Sequence, residues 1–202
     1  ACAPFRRLHL CDKNLEQIEP IKITNTHNLL VDVCMAAKFE GESITGEYPK
    51  YQNKYDDSPS QICTVLARSF ADIGDIIRGR DLYGGSKKEK NRRDKLESKL
   101  KEIFGKIHGG LSTRNGAQNH YKDTKGDFFQ LREDWWTLNR KEVWYAMTCG
   151  AGKHAKYFRA TCGDKKTLQL GLKTNAGVTT NQVPTYFDYV PQYLRWFEEW
   201  AE

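Results

Sequence analysis

Asp72 and Asp75 are the first residues whose types and spacing could do chemistry. Three positions apart, they share one side of a helix, where paired carboxylates can act as general acid and base. Arg68, Arg78 and Arg80 lie close by in sequence, and ion pairing with them is the more economical reading. A phosphate loop is excluded at Gly150-Ala151-Gly152-Lys153-His154. Met147 stands where the motif needs its first glycine, and His154 replaces the Ser/Thr that would hold magnesium. Gly84-Gly85-Ser86-Lys87 is weaker still. The six cysteines are Cys2, Cys11, Cys34, Cys63, Cys149 and Cys162. They contain no CxxC pair, and His9, His27, His108, His120 and His154 are scattered, read as loop or surface residues, so no zinc site is expected. An even, widely spaced set favours disulfides and an oxidising compartment, with reduced core thiols as the alternative. No catalytic residue, cofactor or metal is expected.

The chemistry that stands out is charge. Between Arg78 and Lys101 there are ten Lys/Arg (Arg78, Arg80, Lys87, Lys88, Lys90, Arg92, Arg93, Lys95, Lys99 and Lys101) against four Asp/Glu. That local excess of six equals the net charge of +6 for the whole chain. A focused basic tract points to polyanions such as acidic glycans, nucleic acid or lipid head groups. The competing reading is a solvated helix face, partly neutralised by Glu89, Asp94 and Glu97.

These residues need helices to position them. Ile62, Val65, Leu66, Phe70, Ile73, Ile76 and Ile77 follow a helical stripe, giving a central buried helix of about four turns. Its polar residues Arg68, Asp72 and Asp75 fall mainly on the other side, and Gly79 suits a left-handed stop. Before it, residues 1–24 read as irregular. Thr26 caps a helix that stops at Gly41, and residues 40–61 read as a long surface loop. After it, residues 84–95 read as a hydrated connector that becomes helical. Leu96, Leu100, Ile103, Phe104 and Ile107 then form an amphipathic stripe ended by Gly109-Gly110. Residues 108–127 and 150–182 read as loops. Asp127–Thr148 reads as a second core helix, on which one of the adjacent Trp135 and Trp136 must point away from the core. A last helix starts at Pro191. No run of about 18 apolar residues could span a membrane. The chain opens Ala1-Cys2-Ala3-Pro4 and reads as a piece of something longer. The expected fold is an all-α bundle with long loops.

Five blocks carry a resemblance: CAPFRRLHLC, LARSFADIGDIIRGRDLY, KLKEIFGKIH, DWWTLNRKEVWYAMTC and VPTYFDYVPQYLRWFEEWAE. Together, in this order, they resemble a Duffy-binding-like domain. The likeness is nearest the alpha class found near the N-terminus of the Plasmodium falciparum erythrocyte membrane protein family of variant surface antigens. It covers nearly the whole chain, with divergence at 40–61, 108–127 and 150–182.

The resemblance implies a helical adhesion domain on the extracellular face of the infected erythrocyte, held to the membrane through its parent protein. It implies no catalysis. Residues 1–40 would end the first subdomain and residues 41–202 form the second, with the cysteine-rich third subdomain absent. It also implies a disulfide between Cys63 and Cys162 and one between Cys34 and Cys149. Cys2 and Cys11 match positions usually bonded upstream. The implied partners are red-cell receptors, blood-group or heparan-sulfate-type glycans, and host antibodies, rather than nucleic acid. Two rival readings are a scaffold that only presents variable loops and a basic nucleic-acid-binding helical domain. Charge reversal in the basic tract separates the first from the lead, and the oxidation state of the cysteines separates the second.

Overall fold

The computed structural model describes residues 2–55, 60–112, 116–121, 123–148, 183 and 185–202, with the side chains of 48–55 and 60 excepted. Among these residues the chain is helical and contains no strand. The elements in order are α1 (Phe5–Leu8), α2 (Lys13–Glu16), a 3₁₀ turn at Pro20–Lys22, α3 (Thr26–Tyr55), α4 (Ser60–Arg78), α5 (Lys87–Gly109), α6 (Ala117–His120), α7 (Phe129–Thr148), a second 3₁₀ turn at Phe187–Tyr189 and α8 (Gln192–Ala201).

The expected stripe on α4 is the centre of the core. Ile62, Leu66, Phe70, Ile73 and Ile77 are buried together with Leu29 and Val33 of α3 and Trp136, Val143 and Met147 of α7. Leu96, Leu100, Ile103 and Phe104 close the core from α5. Gly79 takes φ +73° and ends α4, with the amide of Arg80 donating to the carbonyl of Asp75 at 2.8 Å. A side chain at Gly79 would also strike the Arg132 guanidinium, so two constraints select glycine there.

Four expectations change. First, α3 does not stop at Gly41 but runs to Tyr55, so the expected loop at 40–61 is helical through Tyr55. Gly41 is buried at the crossing of α3 and α7, where a Cβ would run into the Met147 carbonyl oxygen. The glycine marks a close approach of two backbones rather than a helix end. A boundary between residues 40 and 41 therefore falls inside α3. We expect Gly41→Ala to destabilise the fold by about 1–2 kcal/mol, as overpacking outweighs the gain in helix propensity. Urea unfolding would show this as a lower midpoint at unchanged slope.

Second, residues 2–24 are not irregular but carry two short helices and a 3₁₀ turn, with Leu10, Leu15, Ile18 and Ile23 buried in the common core. Third, α5 begins at Lys87, so the expected connector is already helix. Fourth, Trp135 and Trp136 are both buried. α7 lies between two layers: Trp136 packs on Phe70 of α4 at 5.1 Å, and Trp135 packs edge-on against Phe104 of α5 at 6.1 Å.

The polar side of α4 is also buried, which its sequence did not announce. Arg68, Asp72, Asp75 and Arg78 are all buried, and their partners come from both ends of the chain. Arg195 of α8 donates to Asp72 at 2.8 Å and to Asp75 at 2.5 Å. Arg6 of α1 pairs with Asp72 at 2.7 Å and with Glu199 at 2.9 Å. Arg78 pairs with Asp75 at 2.7 Å.

Candidate functional site

The basic tract is built around the N-terminus of α5. Ser86 caps it: its hydroxyl accepts from the Glu89 amide, and the Glu89 carboxylate accepts from the Ser86 amide at 2.7 Å. Tyr83 adds a hydroxyl bond to Glu89 at 3.0 Å, and its ring lies under the guanidinium groups of Arg7 and Arg93. The apolar stripe Leu96, Leu100, Ile103 and Phe104 seats the helix and turns its opposite side to solvent. The lysines therefore project from a rigid rod rather than from a connector.

The hydrogen bonds with Ser86, then that with Tyr83, hold the Glu89 carboxyl down at about 2, from an ordinary value of 4.5. A depressed pKa contributes stability that is present above the ordinary value and lost as pH falls through the folded one. The first turn of α5 is thus expected to fray between about pH 4.5 and about pH 2. Ser86→Ala should fray it at neutral pH, at a cost of about 1 kcal/mol. Hydrogen exchange at the Glu89 and Lys90 amides checks both.

The structure divides the ten predicted cations. Arg78 is fully buried in the α4 network. Arg80 pairs with Glu133 at 2.7 Å. Arg93 pairs with Asp12, and Arg92 lies 3.7 Å from Glu16. Lys99 donates to the Glu16 carbonyl at 2.8 Å. Lys101 pairs with Asp127 at 2.6 Å, a bond that raises its pKa. These six hold α5 and α4 to their neighbours. Lys87, Lys88, Lys90 and Lys95 are exposed and make no ion pair among the described residues. Asp94 is an exposed carboxylate beside them. Lys88 and Lys95 are seven residues apart, so they stack on one side about 10 Å apart along the axis.

A hollow of about 480 Å³ opens beside this end of α5, between Leu10, Cys11, Tyr83 and Arg92, and its wall charges Arg93 and Asp12 are already paired. A second, apolar groove of about 600 Å³ lies between α3 and α7, lined by Leu30, Val31, Met35 and Tyr145. Asp72 and Asp75 line neither of these two hollows. Burial works to raise the Asp72 carboxyl, but Arg6 and Arg195 outweigh it and hold it below the usual range. Burial pushes Asp75 up to about 6 against the pull of Arg195 and Arg78. Both are spent on ion pairs, with Arg78 among the expected partners and Arg6 and Arg195 not foreseen.

Among the cysteines, Cys63 is disulfide-bonded, and its expected partner Cys162 lies outside the described residues. Cys34 is a free, half-buried thiol, and its expected partner Cys149 lies outside the described residues. Since Gly41 meets Met147, Cys34 two turns earlier faces Glu142 rather than the end of α7. Cys149, His154 and the whole stretch 149–182 lie outside the described residues. Cys2 and Cys11 are also free thiols.

Comparisons with known proteins agree on one family. The Duffy binding domain model matches residues 1–195. The chain is 25% identical to the Duffy receptor beta form of Plasmodium knowlesi and 27% identical to the Duffy receptor of Plasmodium vivax (strain Salvador I). Each match covers 99% of this chain but only 14% and 15% of those proteins, so the chain spans about a seventh of their length. Among solved structures, the NTS-DBL1(alpha-1) domain of Plasmodium falciparum membrane protein 1 (PfEMP1) from the varO strain superposes with a TM-score of 0.76 at 40% identity. That match covers all of this chain and 43% of the other. A PfEMP1 DBLbeta domain (IT4var13) solved bound to ICAM-1 gives 0.69 at 34% identity, covering all of this chain and 44% of the other.

Proposed function

This chain belongs to the Duffy binding domain family, and from that premise we propose that it is an adhesion module that binds a host-cell surface receptor. The named relatives support this reading: Duffy receptors on one side, and a DBLbeta domain bound to ICAM-1 on the other. Its place is the extracellular face of the infected erythrocyte, carried by a longer membrane protein, where host antibodies would also meet it. Its work is binding, without a cofactor or a reaction. Residues 1–40 belong with the first subdomain and 41–202 with the second, joined through α3, and Cys162 is the partner of Cys63.

The ligand class is a sulfated glycan of the heparan-sulfate type, or a blood-group glycan on red cells, as in rosetting. One observation carries the sulfated-glycan reading: Lys87, Lys88, Lys90 and Lys95 are exposed on a rigid helix and make no ion pair among the described residues, while the other cations of the tract are tied into the fold. Ammonium groups on a fixed scaffold make point-charge contacts with sulfates, and such binding weakens steeply with salt.

The test is heparin binding over a salt series, with a Lys87→Glu/Lys88→Glu/Lys90→Glu/Lys95→Glu protein alongside. Arg92 and Arg93 are left intact because reversing them would break pairs with Glu16 and Asp12. At about 150 mM salt the reversed protein is expected to bind at least about tenfold more weakly, with an unchanged helical circular dichroism signal. Equal binding by both proteins would return these lysines to solvation and favour the scaffold reading.

A further inference from the structure

α8 is amphipathic the wrong way round. A surface helix ordinarily turns its apolar stripe to the core and its charges to water. Here Gln192 and Arg195 are buried against the body of the protein, Glu199 is half-buried on the same side, and Glu202, just past the helix and exposed, reaches back to Arg68. Tyr193, Leu194 and Phe197 face out, with Phe197 70% and Tyr193 51% exposed, and Trp200, 54% exposed, lies at the edge of that face against Cys2 and Phe5. Trp196 is the apolar residue of α8 that is buried.

We infer that the ionic seat between α8 and α4 is an orientation lock, fixing the rotation of α8 about its own axis so that its aromatic face stays outward. Arg195 is the pin. Its guanidinium spans Asp72 and Asp75 of α4 and also donates to the carbonyls of Val190 at 2.5 Å and Phe187 at 3.3 Å in the lead-in to α8, so the two α4 carboxylates select one rotation of the helix. Gln192 adds bonds to Asp72 at 3.1 Å, to Asp81 at 2.8 Å and from the Leu82 amide at 2.6 Å. At the other end, Arg6 grips Glu199, and Arg68 takes Glu202 in a forked pair at 2.8 Å with Glu198 at 3.7 Å. Around the pin, Arg78 and Asp188 complete the charged wall. Buried ion pairs seldom beat apolar packing in stability, and their best-attested use is to select one register among several. A helix with this sequence, set against an apolar α4, would turn Phe197 and Trp200 inward.

The experiment uses protein labelled with 5-fluorotryptophan, with the Trp196 and Trp200 fluorine signals assigned by single Trp→Phe changes. A soluble gadolinium chelate should broaden Trp200 and spare Trp196 in the unaltered chain. Asp72→Asn/Asp75→Asn/Arg195→Met removes the pin and its two acceptor charges together, leaving Arg6 with Glu199 and Arg78 with the Asp188 carbonyl. This protein is expected to keep its helical signal while broadening of Trp200 falls by about fivefold and Trp196 becomes accessible, as a shifted population of rotations requires. Adding Tyr193→Glu/Phe197→Glu to that protein should restore the original pattern, since the outward face could no longer turn in. The same two glutamates in the unaltered chain should leave Trp200 accessible. Two results would overturn the proposal: a triple variant that keeps the original accessibility pattern, or one that does not fold, which would make the seat a matter of stability alone.

Discussion

An Arg195→Met protein is expected to melt about 10 °C below the unaltered chain. Arg195 is buried, and so are Asp72 and Asp75, the two carboxylates it serves. Removing one partner of a buried charge cluster leaves the others unpaired away from water, which costs about 3–5 kcal/mol, and for a domain of this size each kcal/mol moves the melting point by about 2–4 °C. Arg68→Met is the matched comparison. Arg68 is buried too, but its main acceptor Glu202 is 61% exposed and returns to water when released. That change should cost about 1 kcal/mol or less. Thermal unfolding of the two variants side by side decides the matter. Equal, small shifts would show that the carboxylates around Arg195 are relieved by protonation or by Arg6 and Arg78.

Trp136→Ala is expected to do comparable damage for a different reason. The Trp136 side chain is 0% exposed, packs against Phe70 and lies over Gly74. Its indole nitrogen donates to Asp188 at 2.9 Å, which Arg140 also holds. Truncating a buried Trp opens a large cavity and costs about 3–5 kcal/mol. Trp136→Phe keeps most of the volume and leaves Asp188 to Arg140, so it should cost clearly less. A chemical denaturation series that ranks Ala well below Phe supports the packing account, and equal losses would shift the weight to the hydrogen bond.

Where the sequence was legible, the apolar residues fell on a single periodic stripe. The stripes Leu66–Phe70–Ile73–Ile77 and Leu96–Leu100–Ile103 are that kind, and the helices they predict are α4 and α5. Gly79 was legible because a left-handed stop has few other residues to choose from. The misreadings share a cause: tertiary contacts overrode local signals. Gly41 looks like a stop until Met147 is seen lying against it. Trp135 and Trp136 cannot both be buried on a helix with one covered side, but α7 has two. In the basic tract the sequence shows ten cations but not their partners. Asp12, Glu16, Asp127 and Glu133 come from elements tens of residues away, and those contacts separate the four exposed lysines from the four arginines and two lysines tied into the fold. One signal was available and went unread. The polar spacing of Gln192, Arg195 and Glu199, three and four apart, marks an inward stripe on α8.

The meeting of α1 with α8 has a mechanical consequence. Trp200 donates to the Cys2 carbonyl at 2.9 Å and its ring meets that of Phe5 at a tilt, 6.3 Å between centroids, while Arg6 clamps Glu199. Tension applied through residues 2 and 200 would enter and leave the domain at almost one point. It would strain that short clasp and leave α3, α4, α5 and α7 off the line of force. A bundle strung between its far ends would be sheared by a pull of the same size. A tether attached on either side of this clasp can thus be stretched while the helix that displays the lysines keeps its shape.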